Sequence, residues 1–198
     1  MSAPNVVIFM DAFLVSTGVV ALGEMGDKTQ LLAILLAAHF KRPWLVCWGI
    51  LLATLANHAL AGALGVGIAH FISADTLRWV VGISFLAMAL WLLIPDKLDT
   101  MPRPLQRFGV LGATTIMFFI AEMGDKTQIA TIALAARYDA MFAVVAGTTL
   151  GMMLVNVPVV FLGDLIAKRI PMKLIHGTAA FIFAVLGMLT LLNVGSFF

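Results

Sequence analysis

Glu24-Met25-Gly26-Asp27-Lys28-Thr29-Gln30 places three formal charges inside a long apolar stretch. The same seven residues return as Glu122-Met123-Gly124-Asp125-Lys126-Thr127-Gln128, 98 positions later in a chain of 198. Each half of the chain therefore owns one copy. A lone charge at the centre of a membrane helix costs roughly 2.5–3.5 kcal/mol on insertion scales. Six of them would cost on the order of 15–20 kcal/mol if each stood alone. They are expected to face one another, a bound ion or a watery cavity, which is the signature of a functional site at membrane depth.

The surroundings are membrane-like. Hydrophobic residues make up 62% of the chain and charged residues 11%, against about 25% charged in an ordinary soluble domain. Apolar segments are read at residues 6–39, 44–71, 76–94, 107–136, 140–167 and 172–194, enough for six spans of about 20–25 residues. The first is too long for one straight crossing: about 34 residues would reach roughly 50 Å, against a core of about 30 Å. It must tilt, protrude or break, and Gly18, Gly23 and Gly26 favour a break beside the motif. The first five residues carry no Lys or Arg, so the first span is expected to be retained rather than cleaved. The single cysteine, Cys47, excludes an intramolecular disulfide. Scattered basic residues and a net charge of +2 give no nucleic-acid footprint.

Residues 95–106 form a polar, proline-bearing linker near mid-chain. The division that follows is 1–94, linker, and 107–198. The halves match beyond the motif: Gly49 with Gly147, Gly65 with Gly163, and Asn57 with Asn156 within one residue. Three spans per copy is odd, so two copies in one membrane take opposite orientations. The expected fold is an all-α integral membrane protein of six transmembrane helices, built as two inverted three-helix repeats around a midplane site. Lys41, Arg42, Lys97, Arg103, Arg107, Lys168, Arg169 and Lys173 fall on one side of that arrangement, and only Arg78 and Arg137 on the other. The first side, with the linker, reads as cytoplasmic and both termini as external.

On a continuous helix Glu24 and Asp27 would share a face, and Lys28 would reach Glu24; the same holds for Glu122, Asp125 and Lys126. Together the copies offer four carboxylates and two ammonium groups, a formal −2 that balances one divalent cation. Carboxylate and amide oxygens suit hard ions, and Gln30 and Gln128 can add amide oxygens. The candidate metal-binding set is Glu24, Asp27, Gln30, Glu122, Asp125 and Gln128, with Lys28 and Lys126 as charge-balancing groups. Thr29 and Thr127 point away on an ideal helix and rank behind these. Met25 and Met123 are either soft ligands or apolar filler, and filler is favoured. Asn57, His58 and Asn156 are either cavity lining or interhelical glue. Asp11, Asp164, His39, His70 and His176 read as interfacial.

Two hydrophobic halves, each with E-x-G-D-K/R-S/T, resemble the Gdt-type cation transporters, and the short form resembles their bacterial manganese-exporter branch. The resemblance spans essentially the whole chain. It implies transport of Mn²⁺ or Ca²⁺ in exchange for H⁺ across a bacterial plasma membrane, with Glu24, Asp27, Glu122 and Asp125 as ligands. The metal is then cargo, no resident cofactor is called for, and the partners are the ion, protons and lipid; homo-oligomerisation stays open. An intramembrane aspartyl protease is disfavoured: the first glycine of G-x-G-D is missing, and a lysine beside each aspartate opposes the protonated acid such a dyad needs. A zwitterion such as an amino acid does not call for a −2 site. A non-transporting scaffold stapled by ion pairs is the remaining alternative.

Overall fold

A computed structural model describes residues 3–94, 108–163 and 172–193. The expected linker at 95–106, Asp164 and the basic turn at 168–171 lie outside them. Eight helices and no strand occur among the described residues: α1 (Ala3–Glu24), α2 (Lys28–Phe40), α3 (Pro43–Ala69), α4 (Ala74–Trp91), α5 (Gly109–Glu122), α6 (Lys126–Tyr138), α7 (Met141–Leu162) and α8 (Met172–Leu191). Val6–Glu24, Pro43–Ala69, Ala74–Trp91 and Met141–Leu162 are long and apolar enough to cross a membrane.

The first and fourth expected segments are each cut in two at the motif, giving α1 then α2, and α5 then α6. Glycine makes the cut. Gly26 has φ 83° and Gly124 φ 76°, a left-handed backbone that side-chain-bearing residues adopt only at a cost. Asp27 and Asp125 follow in extended conformation as the N-caps of α2 and α6. Both half-helices end on a left-handed residue, Lys41 and Asp139, again 98 apart. Pro43 then opens α3 at a position where its missing N–H costs nothing. Ser73 caps α4 through Thr76 N–H at 3.3 Å.

Packing repeats at the same offset. α1 lies on α7 and α5 on α3. At the first contact Gly147 approaches Phe13 and Ser16; at the second Gly49 approaches Leu111 and Thr114. Thr17 donates to Phe13 O at 2.8 Å, and Thr115 to Leu111 O at 2.9 Å. Two apolar clusters flank this frame. Leu32, Leu36, Ile50, Phe118 and Val159 join α2, α3, α5 and α7. Phe85, Met88, Leu92, Leu134 and Phe183 join α4, α6 and α8, with Phe85 and Phe183 edge to face at 6.0 Å. Trp44, Trp48, Leu64, Leu90 and Phe142 face outward, as apolar side chains do where the solvent is lipid.

Candidate functional site

The two breaks meet in the interior. Oxygens of Glu24, Glu122 and Asp125 lie within 4.8 Å of one another, and these acids and Asp27 are all at most 1% exposed. Glu24 and Glu122 end α1 and α5; Asp27 and Asp125 immediately precede α2 and α6 as their caps. The site is therefore built from four helix termini. The N-termini of α2 and α6 add partial positive charge beside the acids.

Helix-face reasoning misplaced the lysines. Because each helix is broken, Lys28 does not pair with Glu24 and Lys126 does not pair with Glu122. The ion pairs cross between the motifs instead: Lys28 Nζ lies 3.3 Å from Asp125 Oδ1, and Lys126 Nζ is paired with Asp27. The pairs are not equivalent, since the Lys28 side chain is 26% exposed and that of Lys126 5%.

The threonines, ranked behind the acids and amides on a continuous helix, come close to the glutamates once the chain turns. Thr29 Oγ1 donates to Glu24 Oε2 at 2.7 Å, and Thr127 Oγ1 to Glu122 Oε2 at 3.4 Å. The glutamines brace the breaks: Gly26 N–H donates to Gln30 Oε1 and Gly124 N–H to Gln128 Oε1, each at 2.8 Å. Their amide oxygens are thus already engaged by the backbone. Met25 and Met123 are 37% and 57% exposed and turn away from the acids. Buried carboxylate oxygens remain without a hydrogen-bond partner: Glu24 Oε1, Glu122 Oε1 and Asp125 Oδ2. Such groups are costly unless something binds them.

Asn57 donates to Phe119 O at 3.0 Å and accepts from Gln128 Nε2 at 3.5 Å, tying α3 to the second break. Asn156 donates to Met152 O of its own helix at 3.1 Å. His58 is fully buried with neither ring nitrogen hydrogen-bonded. His176 donates from Nε2 to Met25 O at 3.1 Å, a contact for which the sequence carries no signal.

The comparisons with known proteins fit this arrangement. The family described as "Divalent cation/proton antiporter GDT1" matches residues 12–100 and 110–196. The chain belongs to the GDT1 family. A "Putative manganese exporter" of Vibrio cholerae is 50% identical over 182 residues, covering 91% of this chain and 90% of the relative. A GDT1-like protein of Synechocystis is 28% identical over 211 residues, with 91% and 98% covered. "GDT1-like protein 5" of Arabidopsis thaliana is 27% identical over 223 residues, with 93% and 96% covered. No solved structure matches. As a GDT1 member, this chain is a multi-pass membrane transporter of a divalent cation and not an enzyme.

Proposed function

We propose that the protein exports Mn²⁺ from the bacterial cytoplasm in exchange for H⁺, binding the ion among Glu24, Asp27, Glu122 and Asp125. The observation that carries this reading is the convergence of two identical motifs into one buried group of acids with unpartnered oxygens. An ion-pair staple would need only acids matched to bases. Here two lysines face four carboxylates, and the unpartnered oxygens present an all-oxygen donor set of the kind that hard divalent ions take. With both methionines turned outward, residue chemistry suits Ca²⁺ as well as Mn²⁺. The name of the Vibrio relative favours Mn²⁺, and Ca²⁺/H⁺ exchange is the second reading.

In this reading α1–α2 and α5–α6 are two broken spans, and with α3, α4, α7 and α8 they make six crossings in two inverted repeats. The recurrence of contacts at a 98-residue offset supports that architecture, with the linker cytoplasmic and both termini periplasmic. Lys28 and Lys126 hold Asp125 and Asp27 when no metal is bound and yield to it when it arrives. Protons replace the metal on the acids for the return step, because closely spaced carboxylates do not share a dry site fully charged. Gln30 and Gln128 stand behind the four acids as ligands, since their oxygens brace the glycine turns.

The test uses sealed proteoliposomes holding a pH-sensitive dye, challenged with Mn²⁺, Ca²⁺ and Mg²⁺ in turn. A proton response to Mn²⁺ that disappears in Glu122→Gln is expected. Metal uptake without proton movement would make the protein a uniporter, and no movement of either would return the scaffold reading.

A further inference from the structure

The two motifs hold the same seven residues, but their aspartates are used differently. Asp27 caps α2 with its side chain: Oδ2 accepts from Thr29 N–H and from Thr29 Oγ1, each at 3.5 Å, and Oδ1 is paired with Lys126. Both of its oxygens are engaged. Asp125 stands at the N-cap of α6 but makes no side-chain cap. Aspartate is among the best N-caps, so the second motif gives up a stabilising contact that the first keeps. An oxygen of Asp125 lies instead with oxygens of Glu24 and Glu122, all within 4.8 Å of one another, in a group that Asp27 does not join. Asp125 Oδ2, Glu24 Oε1 and Glu122 Oε1 are each buried without a hydrogen-bond partner, which is costly unless something binds them.

The lysines divide in the same way. Lys126 is 5% exposed and lines a crevice with Gly23, Met88, Leu92 and Phe183. An ammonium forced off Asp27 would stay in that apolar enclosure, where a charge without compensation is strongly disfavoured. Lys28 lies 3.3 Å from Asp125 Oδ1 and is 26% exposed. Its ammonium is strongly hydrated and rides on a flexible stem, so it can leave Asp125 for water. The difference is also written outside the motifs. Asn57 of α3 donates to Phe119 O of α5 at 3.0 Å and accepts from Gln128 Nε2 at 3.5 Å, and Gln128 Oε1 accepts the Gly124 N–H. The residue 98 positions after Asn57 is Val155, which has no amide to offer Gln30. The second break is thus tied to α5 through a side chain that the other half does not carry at that position.

We propose that the divalent ion is seated on Glu24, Glu122 and Asp125, that it takes the place of the Lys28 ammonium there, and that Asp27 and Lys126 stay paired through this capture as a fixed wall of the seat. This deepens the antiport reading above and rests on it: of the two lysines, Lys28 yields first. Lys28 is then a tethered competitor, filling the seat when no ion is present and setting how tightly an ion is held.

The experiment measures Mn²⁺ binding to purified protein in detergent by electron paramagnetic resonance, and Ca²⁺ binding by competition. It compares two double variants, Asp125→Asn with Lys28→Met and Asp27→Asn with Lys126→Met. Each removes one acid and one base, so the formal charge of the site is the same in both and the comparison reports position. The Asp125 double is expected to lose at least tenfold more Mn²⁺ affinity than the Asp27 double, since even a partner standing behind a metal ligand is worth about 10–100-fold. Lys28→Met alone keeps all four acids and judges the same point should a double variant fail to fold. It is expected to tighten Mn²⁺ binding about two- to fivefold, the value of a partly exposed ion pair that the ion no longer has to displace. Equal losses in the two doubles, a larger loss in the Asp27 double, or unchanged or weaker binding in Lys28→Met overturns the proposal. A parent protein that binds neither ion sinks the antiport reading and the seat with it, whereas a parent that binds while the two doubles lose equally sinks the seat alone.

Discussion

Replacing Lys126 by Met removes the partner of Asp27 while keeping most of the side-chain volume. Both groups are enclosed, the lysine side chain at 5% exposure and the aspartate at 0%. Removing one member of a buried pair costs about 3–5 kcal/mol, because the other is left without compensation. Lys28→Met removes the sister pair, but Lys28 is 26% exposed. Solvent already screens that interaction, so its loss is expected to cost about half as much. At about 2–4 °C per kcal/mol for a chain of this size, Lys126→Met should lower the melting temperature in detergent by on the order of 10 °C, and Lys28→Met by about 5 °C. The decisive protein is the double variant, Asp27→Asn with Lys126→Met, which removes both charges. Its stability should return most of the way to the parent, leaving a large coupling between the two sites. Thermal unfolding followed by intrinsic tryptophan fluorescence reads the parent and all three variants. Equal losses for the two lysines, or a double variant at least as unstable as Lys126→Met alone, would refute the crossed, unequal pairing.

Gly26→Ala and Gly124→Ala should each cost about 1–2 kcal/mol from positive φ, and at Gly124 an added Cβ meets nothing within 4 Å; thermal unfolding checks this. Gly147→Ala should destabilise more than Gly49→Ala, because its Cβ would strike the Phe13 carbonyl rather than chiefly the Thr114 side chain, with losses of about 1–3 kcal/mol read the same way. Thr29→Val should weaken metal-dependent uptake more than Thr127→Val, as the hydroxyl–glutamate distances are 2.7 and 3.4 Å. About tenfold in half-saturating Mn²⁺ is expected for the shorter bond, the value of a hydrogen bond to a charged group. Met25→Leu and Met123→Leu should leave the Mn²⁺ dependence unchanged, since both side chains face away from the acids; a loss of affinity would place a thioether at the ion.

The burial of the four acids together was legible because a repeated, charged heptapeptide in apolar surroundings has few physical explanations. The length of the first segment and its glycines pointed to a break. What the break does to side-chain directions was not legible. Face assignments on a continuous helix put Lys28 beside Glu24 and sent Thr29 away from it, and one left-handed glycine between them reverses both. The glutamines read as ligands because an amide oxygen near acids looks like one. Only the path of the backbone shows Gly26 and Gly124 presenting an N–H to each. The inequality of the two copies had no local signal at all, since the seven residues are the same in both. It arises from where α4 and α8 settle, which is a property of the whole packing.

That inequality bears on how a site can both hold and release a divalent ion. With all four carboxylates charged, the two lysines leave a net −2. The N-termini of α2 and α6 each add roughly +0.5 and the C-termini of α1 and α5 roughly −0.5, so the helix ends cancel and the acids present about −2 to an incoming ion. That balances one divalent cation in a dry site, and the attraction weakens when water reaches the acids. On the exchange reading proposed above, the identical motifs supply ligands and counter-charges from both halves at once, so the ion keeps the same partners whichever side is covered. On that reading access is set by the parts that differ among the described residues: the apolar side chains of Met88, Leu92 and Phe183 on one flank and the thinner packing around α2 on the other. If the acids are the ligands, duplicating them while leaving their covers unequal would give one binding site two distinguishable openings, which is the minimum an exchanger needs to bind an ion on one face and release it on the other.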